Sequence, residues 1–263
     1  MLEISSRNNP LIKEIKGLYK RKNRWKKRQF IIEGIKIIEE AISNDKKLEH
    51  IIYSEKLLST EEGQQFFEQI KDMGNVIKIS TNLFDEISDT DNPQGILAIA
   101  EFIERTFQDM VNRERPSFLF LDRIQDPGNM GTIIRTGDAF NIGGILLGEG
   151  CVDPYNPKVV RSTMGSIFRV PIYVCDDTMN SLLKIRELGI RILATSLDGN
   201  FIYNERFEEA FVCVIGNESK GVDPEIMSMA DRKIKIPMPG RAESLNAGVA
   251  ASIIMYETMK WRI

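Results

Sequence analysis

Five apolar runs beyond Pro116, "SFLFLDRI", "GGILLG", "RVPIYV", "IRILATS" and "AFVCVIG", constrain the fold more than any other feature. A strand with one face in water alternates apolar and polar residues. These runs are apolar at nearly every position, as strands buried on both faces are. Segments of helical spacing stand between and after them: "GTIIRTGDAF", "NPKVVRSTMGSI", "TMNSLLKIRELG", "DPEIMSMA" and, beyond a sixth strand "RKIKIP", "SLNAGVAASIIMYETMKW". The pattern predicts an α/β fold with a mostly parallel sheet and helices on both faces.

The first hundred residues alternate in the same way. "SRNNPLIKEIKGLYK" sets Leu11, Ile12, Ile15 and Leu18 at helical spacing, with Asn9 as cap and Pro10 at the first helical position. Strand, helix, strand, helix, strand, strand then follow in "QFIIEG", "IKIIEEAISN", "LEHIIYS", "EEGQQFFEQIKDMG", "NVIKIS" and "GILAIAEF", a small layered αβ domain ending near Ile103. The polar interval "ERTFQDMVNRERP", closed by Pro116, is the natural boundary. We expect a first domain over 1–106, a linker over 107–115 and a second domain over 116–263.

Composition narrows the chemistry. With 42 % apolar and 28 % charged residues in 263, the chain can bury a core. No apolar stretch is long enough to span a membrane, and "MLEISSRNNP" lacks an export pattern, so the expected location is cytoplasmic. Cys151, Cys175 and Cys213 are odd in number and far apart in apolar contexts, which predicts reduced core thiols. The lone histidine, His50, opens a strand and reads as structural. One imidazole leaves little room for most zinc, Ser-His-Asp or Cys-His chemistry.

The net charge of −3 conceals an asymmetry: residues 1–36 carry +8 and the remainder −11. Within "YKRKNRWKKRQF" the basic residues Lys20, Arg21, Lys22, Arg24, Lys26, Lys27 and Arg28 surround Tyr19, Trp25 and Phe30. A phosphate-binding surface with stacking groups would look like this. The plainer alternative is a solvated helix end and loop.

Ligands of open parallel sheets collect at the carboxyl ends of strands, which directs attention to three loops. "RIQDPGNMGTIIRT" follows the strand "FLFLD", "GNESKGVDPE" follows "FVCVI", and "PMPGRAESLN" follows "KIKI". Each joins glycine to a cluster of Asn, Ser, Glu or Arg. "GNESKGVD" is not a phosphate loop, and no Gly-x-Gly-x-x-Gly opens the second domain, so the common nucleotide motifs are absent. Arg135, six residues after Asn129, could simply pair with Asp138 on its own helix.

In that order, "NMGTIIRTGDAFN", "IGNESKGVD" and "IPMPGRAESLNAGVAASIIMYE" resemble the three motifs of the SpoU (TrmH-like) RNA ribose 2'-O-methyltransferases. The front segment also resembles the RNA-binding domain that precedes the catalytic domain in several members. The resemblance implies a C-terminal trefoil-knotted sheet, a small N-terminal αβα sandwich, S-adenosylmethionine as methyl donor and a homodimer formed through the second domain. It implies RNA as partner, bound through the basic residues named above, with large-subunit ribosomal RNA as the expected substrate.

By the same match Arg135 is the central catalytic residue, with Asn129, Glu218, Ser244 and Asn246 around it. Thr195, Ser196, Leu197, Gly216, Asn217, Glu218, Ile236, Met238, Ser244, Leu245 and Asn246 would hold the cofactor, whose adenosine is gripped by main-chain groups. No metal is implied. The chain departs from the usual pattern at Gly137 and Asn141, and at Ala247 and Gly248, where many members have a serine. Ala247, Gly248, Ala250, Ala251 and Ser252 would let the last helix pack closely on a neighbour. Alternative readings are a non-catalytic RNA-binding or assembly protein, a transfer-RNA methyltransferase, or an oxidoreductase with a degenerate dinucleotide fingerprint.

Overall fold

A computed structural model describes residues 2–112 and 114–262; Arg113, within the expected linker, lies outside the described residues. The elements run β1 (Leu2–Ile4), α1 (Pro10–Leu18), α2 (Arg21–Lys27), β2 (Gln29–Glu33), α3 (Ile35–Ser43), β3 (Leu48–Tyr53), α4 (Glu61–Ile70), β4 (Val76–Ile79), α5 (Thr81–Ile87) and β5 (Ile96–Glu101). There follow α6 (Phe107–Val111), β6 (Ser117–Leu121), α7 (Pro127–Ala139), β7 (Gly144–Leu147), α8 (Pro157–Thr163), β8 (Ile172–Val174), α9 (Thr178–Glu187), β9 (Arg191–Phe201), β10 (Phe211–Ile215), α10 (Pro224–Met229), β11 (Arg232–Lys235) and α11 (Ala247–Met259). They form two compact units. One runs to Ile103 and takes in Asp153–Phe168; the other comprises Glu104–Val152 and the chain from Arg169 onward.

The first unit is a five-stranded mixed sheet in the order β1-β4-β3-β5-β2, with β5 antiparallel to both its neighbours. Alternate strand residues feed two cores. Ile31, Ile52, Leu97 and Ile99 meet Leu11, Ile12, Ile15 and Phe84, whereas Phe30, Ile51, Ala98 and Ala100 meet Ile38, Phe66 and Ile70. Val160 of α8 joins the second of these cores, with Tyr155 and Phe168 packed beside it. That is why the excursion 153–168 belongs to this unit.

The second unit is an all-parallel six-stranded sheet in the order β11-β9-β10-β6-β7-β8. Every residue of β6, β7 and β10 is buried, as the unbroken apolar runs predict. Its helices α7, α9, α10 and α11, like α8 of the first unit, begin with an Asp or Asn side chain that accepts a backbone amide: Asp126, Asp177, Asp223 and Asn246, and Asn156 for α8. Proline follows directly at three of them, where its missing N–H costs nothing. The chain steps from β6 outward to β7 and β8, then returns to the other side for β9, β10 and β11. The reversal lies between β6 and β10.

Four elements escape the pattern reading. β1 has three residues, α5 seven and α6 five, too few for a periodic signal. α2, "RKNRWKK", has no apolar stripe at all, so nothing in the sequence pattern marks 21–27 as a helix. The three cysteines are free thiols, and burial pushes Cys151 up to about 11 and Cys175 up to about 12. Among the described residues no helix is long and apolar enough to cross a membrane.

Candidate active site

The three polar loops leave the carboxyl ends of β6, β10 and β11, all on one edge of a parallel sheet. Their side chains meet. Asn246 Nδ2 donates to Asn129 Oδ1 at 2.7 Å, and Asn129 Nδ2 donates to Glu218 Oε1, also at 2.7 Å. Asn129 is 8 % exposed, so both ends of its amide must be satisfied from within. The Asn129–Glu218 bond joins the loops after β6 and β10, the point where the sheet's winding reverses and parallel sheets place their ligands.

Each loop is shaped before it meets the others. Asp126 caps α7 by accepting the Asn129 amide at 2.8 Å, which fixes the Asn129 side chain at the sheet's edge. Asn217 Oδ1 accepts the amides of Ser219 and Lys220, Asn217 Nδ2 donates to the Arg123 carbonyl, and Asn217 and Gly221 exchange two backbone bonds. A Cβ at Gly216 would lie 2.2 Å from the Val222 amide nitrogen. Glycine there serves the loop's own return. Asn217 is likewise occupied in holding the loop.

A second cluster went unseen in the sequence. Buried Asp122 accepts Nε and Nη2 of Arg123 and the amide of Asp223, while Arg123 also pairs with Asp223 at 3.2 Å. The Asp122 hydrogen bonds stabilise the charged guanidinium and raise the Arg123 pKa. These residues clamp the loop after β6 to the loop after β10. The only sequence signal was an acid and a base ending an apolar strand.

The remaining candidates lie around this centre. Thr195 Oγ1 donates to the Val214 carbonyl at 3.0 Å, Ser196 hydrogen-bonds Asp198, and Leu197 is 70 % exposed. Ile236, Met238 and Leu245 are half-buried apolar side chains on the loop after β11, and Gly240 there has open space about it. Ser244 is exposed and lies outside α11; the cap is Asn246, whose Oδ1 accepts the Val249 amide at 3.2 Å. Loop amides with half-exposed apolar side chains suit a ligand with a flat heteroaromatic ring and a polar tail.

Arg135 is exposed and, among the described residues, makes no hydrogen bond or ion pair. Asp138 does not take it, being paired with Arg169 at 2.7 Å. At 100° per residue Arg135 stands about 120° around α7 from Asn129, so it is not part of the amide network. α7 and α11 lie side by side in register: Gly248 against Thr132, Ser252 Oγ 3.1 Å from Thr136 Oγ1, and Tyr256 against Phe140. A Cβ at Gly248 would sit 3.3 Å from the Thr132 side chain, so a larger residue here needs that side chain to give by a few tenths of an ångström.

In the first unit Lys20, Arg21, Lys22, Lys26, Lys27 and Arg28 are exposed, with Lys27 ion-paired to Glu14. Arg24 is not available. It is 2 % exposed, with Nε 2.8 Å from Asp153 Oδ2 and Nη1 bonded to the carbonyls of Leu18 and Tyr19. The aromatic groups are also internal, contrary to the stacking surface expected. Phe30 is buried, Tyr19 donates its hydroxyl to the Ile87 carbonyl, and Trp25 donates to Asp153 while packing edge-on against Phe102 and Tyr155. Burial pushes the Tyr19 hydroxyl above the usual phenol range, with Glu33 and Asp89 adding to it.

Residues 116–256 match the SpoU rRNA Methylase family, and residues 9–98 match the MRM3-like substrate binding domain. The chain belongs to the SpoU rRNA methylase family. It is 32 % identical over 260 residues to the 23S rRNA (guanosine(2553)-2'-O)-methyltransferase RlmP of Bacillus subtilis (strain 168), covering 97 % of this chain and 98 % of the relative. The AdoMet-bound rRNA methyltransferase of Sinorhizobium meliloti superposes with a TM-score of 0.84 at 32 % identity, over 98 % of this chain and 97 % of that one. The SpoU methyltransferase AviRb of Streptomyces viridochromogenes, in complex with AdoMet, gives a TM-score of 0.84 at 26 % identity, over 97 % and 98 %. The hydrogen-bonded Asn129, Glu218 and Asn246 all lie within the segment that matches the family.

Proposed function

We propose that the protein transfers a methyl group from S-adenosylmethionine to a ribose 2'-hydroxyl of 23S ribosomal RNA. The chain is an RNA 2'-O-methyltransferase by family; the choice of RNA follows the printed activity of the Bacillus subtilis relative. The observation that carries the assignment to this site is the bridge from Asn246 through Asn129 to Glu218 at the reversal of the sheet. Bound S-adenosylmethionine supplies a methyl already made electrophilic by its sulfonium. Ile236, Met238 and Leu245 would flank its adenine, while Thr195, Ser196, Leu197, Gly216, Asn217 and Ser244 would line the rest of the cofactor loops.

The residues then have to align a hydroxyl and manage its charge. Arg135 presents a planar fork of N–H donors and no acceptor, so it orients the hydroxyl or the neighbouring phosphate through that fork. Standing on another side of α7 from Asn129, it offers a cation to the RNA while Asn129 orders the cofactor loops. The exposed Val249 and Tyr256 of α11 support a homodimer formed through this unit, because a helix apolar on all sides is stable when covered on all sides. Family likeness supports a trefoil knot in the second domain, an αβα sandwich in the first, and the division into 1–106 for RNA binding, 107–115 as linker and 116–263 for catalysis. A cytoplasmic location accompanies such a substrate.

The test compares 23S RNA from cells with and without the gene by alkaline cleavage. A methylated 2'-oxygen cannot attack its neighbouring phosphate, so one position should resist cleavage only when the gene is present. An unchanged cleavage ladder in 23S RNA, with a new stop in transfer RNA, would move the substrate to transfer RNA.

A further inference from the structure

β9 and β11 do something that holding the cofactor loops does not require. Up to Lys233 they pair regularly; there the register shifts, and Asn200 and Phe201 then pair with Ile234 and Lys235. The shift rests on Gly199, where a Cβ would come within 2.7 Å of the Ile234 backbone, so no other residue fits without moving the strand. Five residues of β9, 195–199, lie between the partners of the consecutive Lys233 and Ile234, so the second pairing sets where the side chains beyond it stand. β10 pairs with β9 only as far as Ala194, so this end of β9 continues as a two-stranded ribbon at the sheet's edge.

The side chains beyond the shift form an exposed stack. Phe201 and Tyr203 lie with ring planes 14° apart and centroids 5.2 Å apart, and Lys235 Nζ stands 4.7 Å from the Phe201 centroid. Buried Ile202 anchors the turn between them, yet Phe201 is 37 % and Tyr203 56 % exposed. The core therefore gains little from these rings. The flanking cations Arg232 and Lys233 are paired with Glu205 and Asp198, whereas Lys235 has no carboxylate partner among the described residues. Leu197 lies just before this ribbon on β9, and Ile236 directly follows Lys235, so the stack adjoins the candidate cofactor loops within one unit.

We propose that Tyr203, backed by Phe201 and Lys235, is a stacking platform for an unpaired base of the RNA substrate near the acceptor ribose. The inference rests on the proposed RNA methyltransferase function and adds that its substrate is single-stranded at the site. Base stacking on an aromatic tolerates any base and carries a large part of single-strand affinity, while Lys235 meets the phosphate charge. Sequence reading sought such a platform around Trp25; here it lies on the catalytic unit.

The experiment measures filter binding and methyl transfer with an unmodified 23S RNA transcript, for the full chain and for Tyr203→Ala, Tyr203→Leu and Tyr203→Phe. Tyr203→Ala and Tyr203→Leu should both weaken RNA binding about tenfold, with a matching rise in KM, and Tyr203→Phe should stay within about twofold because it keeps the π-face. S-adenosylmethionine affinity, by calorimetry, should not change. Wild-type RNA affinity in Tyr203→Leu overturns the platform, as does a changed oligomeric state by sedimentation, which assigns the rings to a second copy of the chain. A wild-type protein that binds the transcript through Tyr203 yet does not methylate it leaves the platform standing and removes 23S RNA as the substrate.

Discussion

The two units bury a polar side chain in opposite ways. In the first, Arg24 is closed in by a carboxylate and two carbonyls, and its charge is matched by Asp153 alone. In the second, Asn129 is held by a neutral amide on one side and the half-buried Glu218 on the other. A buried ion pair has one acceptable arrangement, because separating it strands a charge without water. An amide relay can exchange one partner for a ligand at small cost. The first arrangement fixes a scaffold, and the second keeps a site open to change.

That contrast is broken most directly at Arg24. Arg24→Met leaves Asp153 buried without its partner and should lower stability by about 3–5 kcal/mol, read from urea unfolding followed by Trp25 fluorescence. Adding Asp153→Leu should recover part of the loss, since the stranded charge goes with it. A loss under about 1 kcal/mol for the single variant, the range of exposed pairs, would show that the pair is not what fixes this end of α2.

At the site the largest effect should come from a residue outside the relay. Arg135→Lys and Arg135→Ala should both reduce kcat by about 10² to 10³, the usual cost of a donor that acts on developing charge, with melting temperature and S-adenosylmethionine affinity unchanged. Near wild-type turnover in the lysine variant would show that a point charge suffices and that the planar fork has no role. The relay gives a finer separation. Asn246→Asp keeps an acceptor for the Val249 amide but leaves the buried Asn129 Oδ1 without its donor, so stability should fall by about 1–3 kcal/mol while methyl transfer drops. Asn246→Ala loses both, with about 1 kcal/mol of cap energy.

What the chain announced in advance follows the same division. The sheet of the second unit was legible because β6, β7 and β10 are apolar at every position, and the helix starts because each carries its own Asp or Asn cap. The convergence of Asn129, Glu218 and Asn246 was legible only as three loops on one edge; the bonds among them depend on tertiary register. Asp122 and Arg123 were missed because an adjacent acid and base look like solvated charge until burial is known. Arg24 was misassigned for the same reason, as nothing local to "RKNRWKK" marks one arginine of a basic run as the one that Asp153, 129 residues away, will bury. Gly199 was overlooked because the strand around it reads as loop, and its meaning lies in how near Ile234 comes.

The smallest expected effects test whether the exposed members of that basic run act as a diffuse phosphate-binding surface. Lys26 is exposed and, among the described residues, carries no ion pair, whereas Lys27 is already engaged by Glu14. If both face RNA, Lys26→Ala should weaken binding of the 23S transcript a few-fold and reduce the slope of log affinity against log salt by about 1. Lys27→Ala should do less, because RNA must first displace Glu14 from it. Glu14→Gln, by freeing Lys27, should strengthen binding slightly and make the two lysines alike. Equal losses for Lys26→Ala and Lys27→Ala in the wild-type background would mean that the Glu14 pair is too weak in water to compete with phosphate, as exposed pairs often are. No loss in either would place the RNA on another face of the first unit and leave the positive charge of α2 as solvated surface.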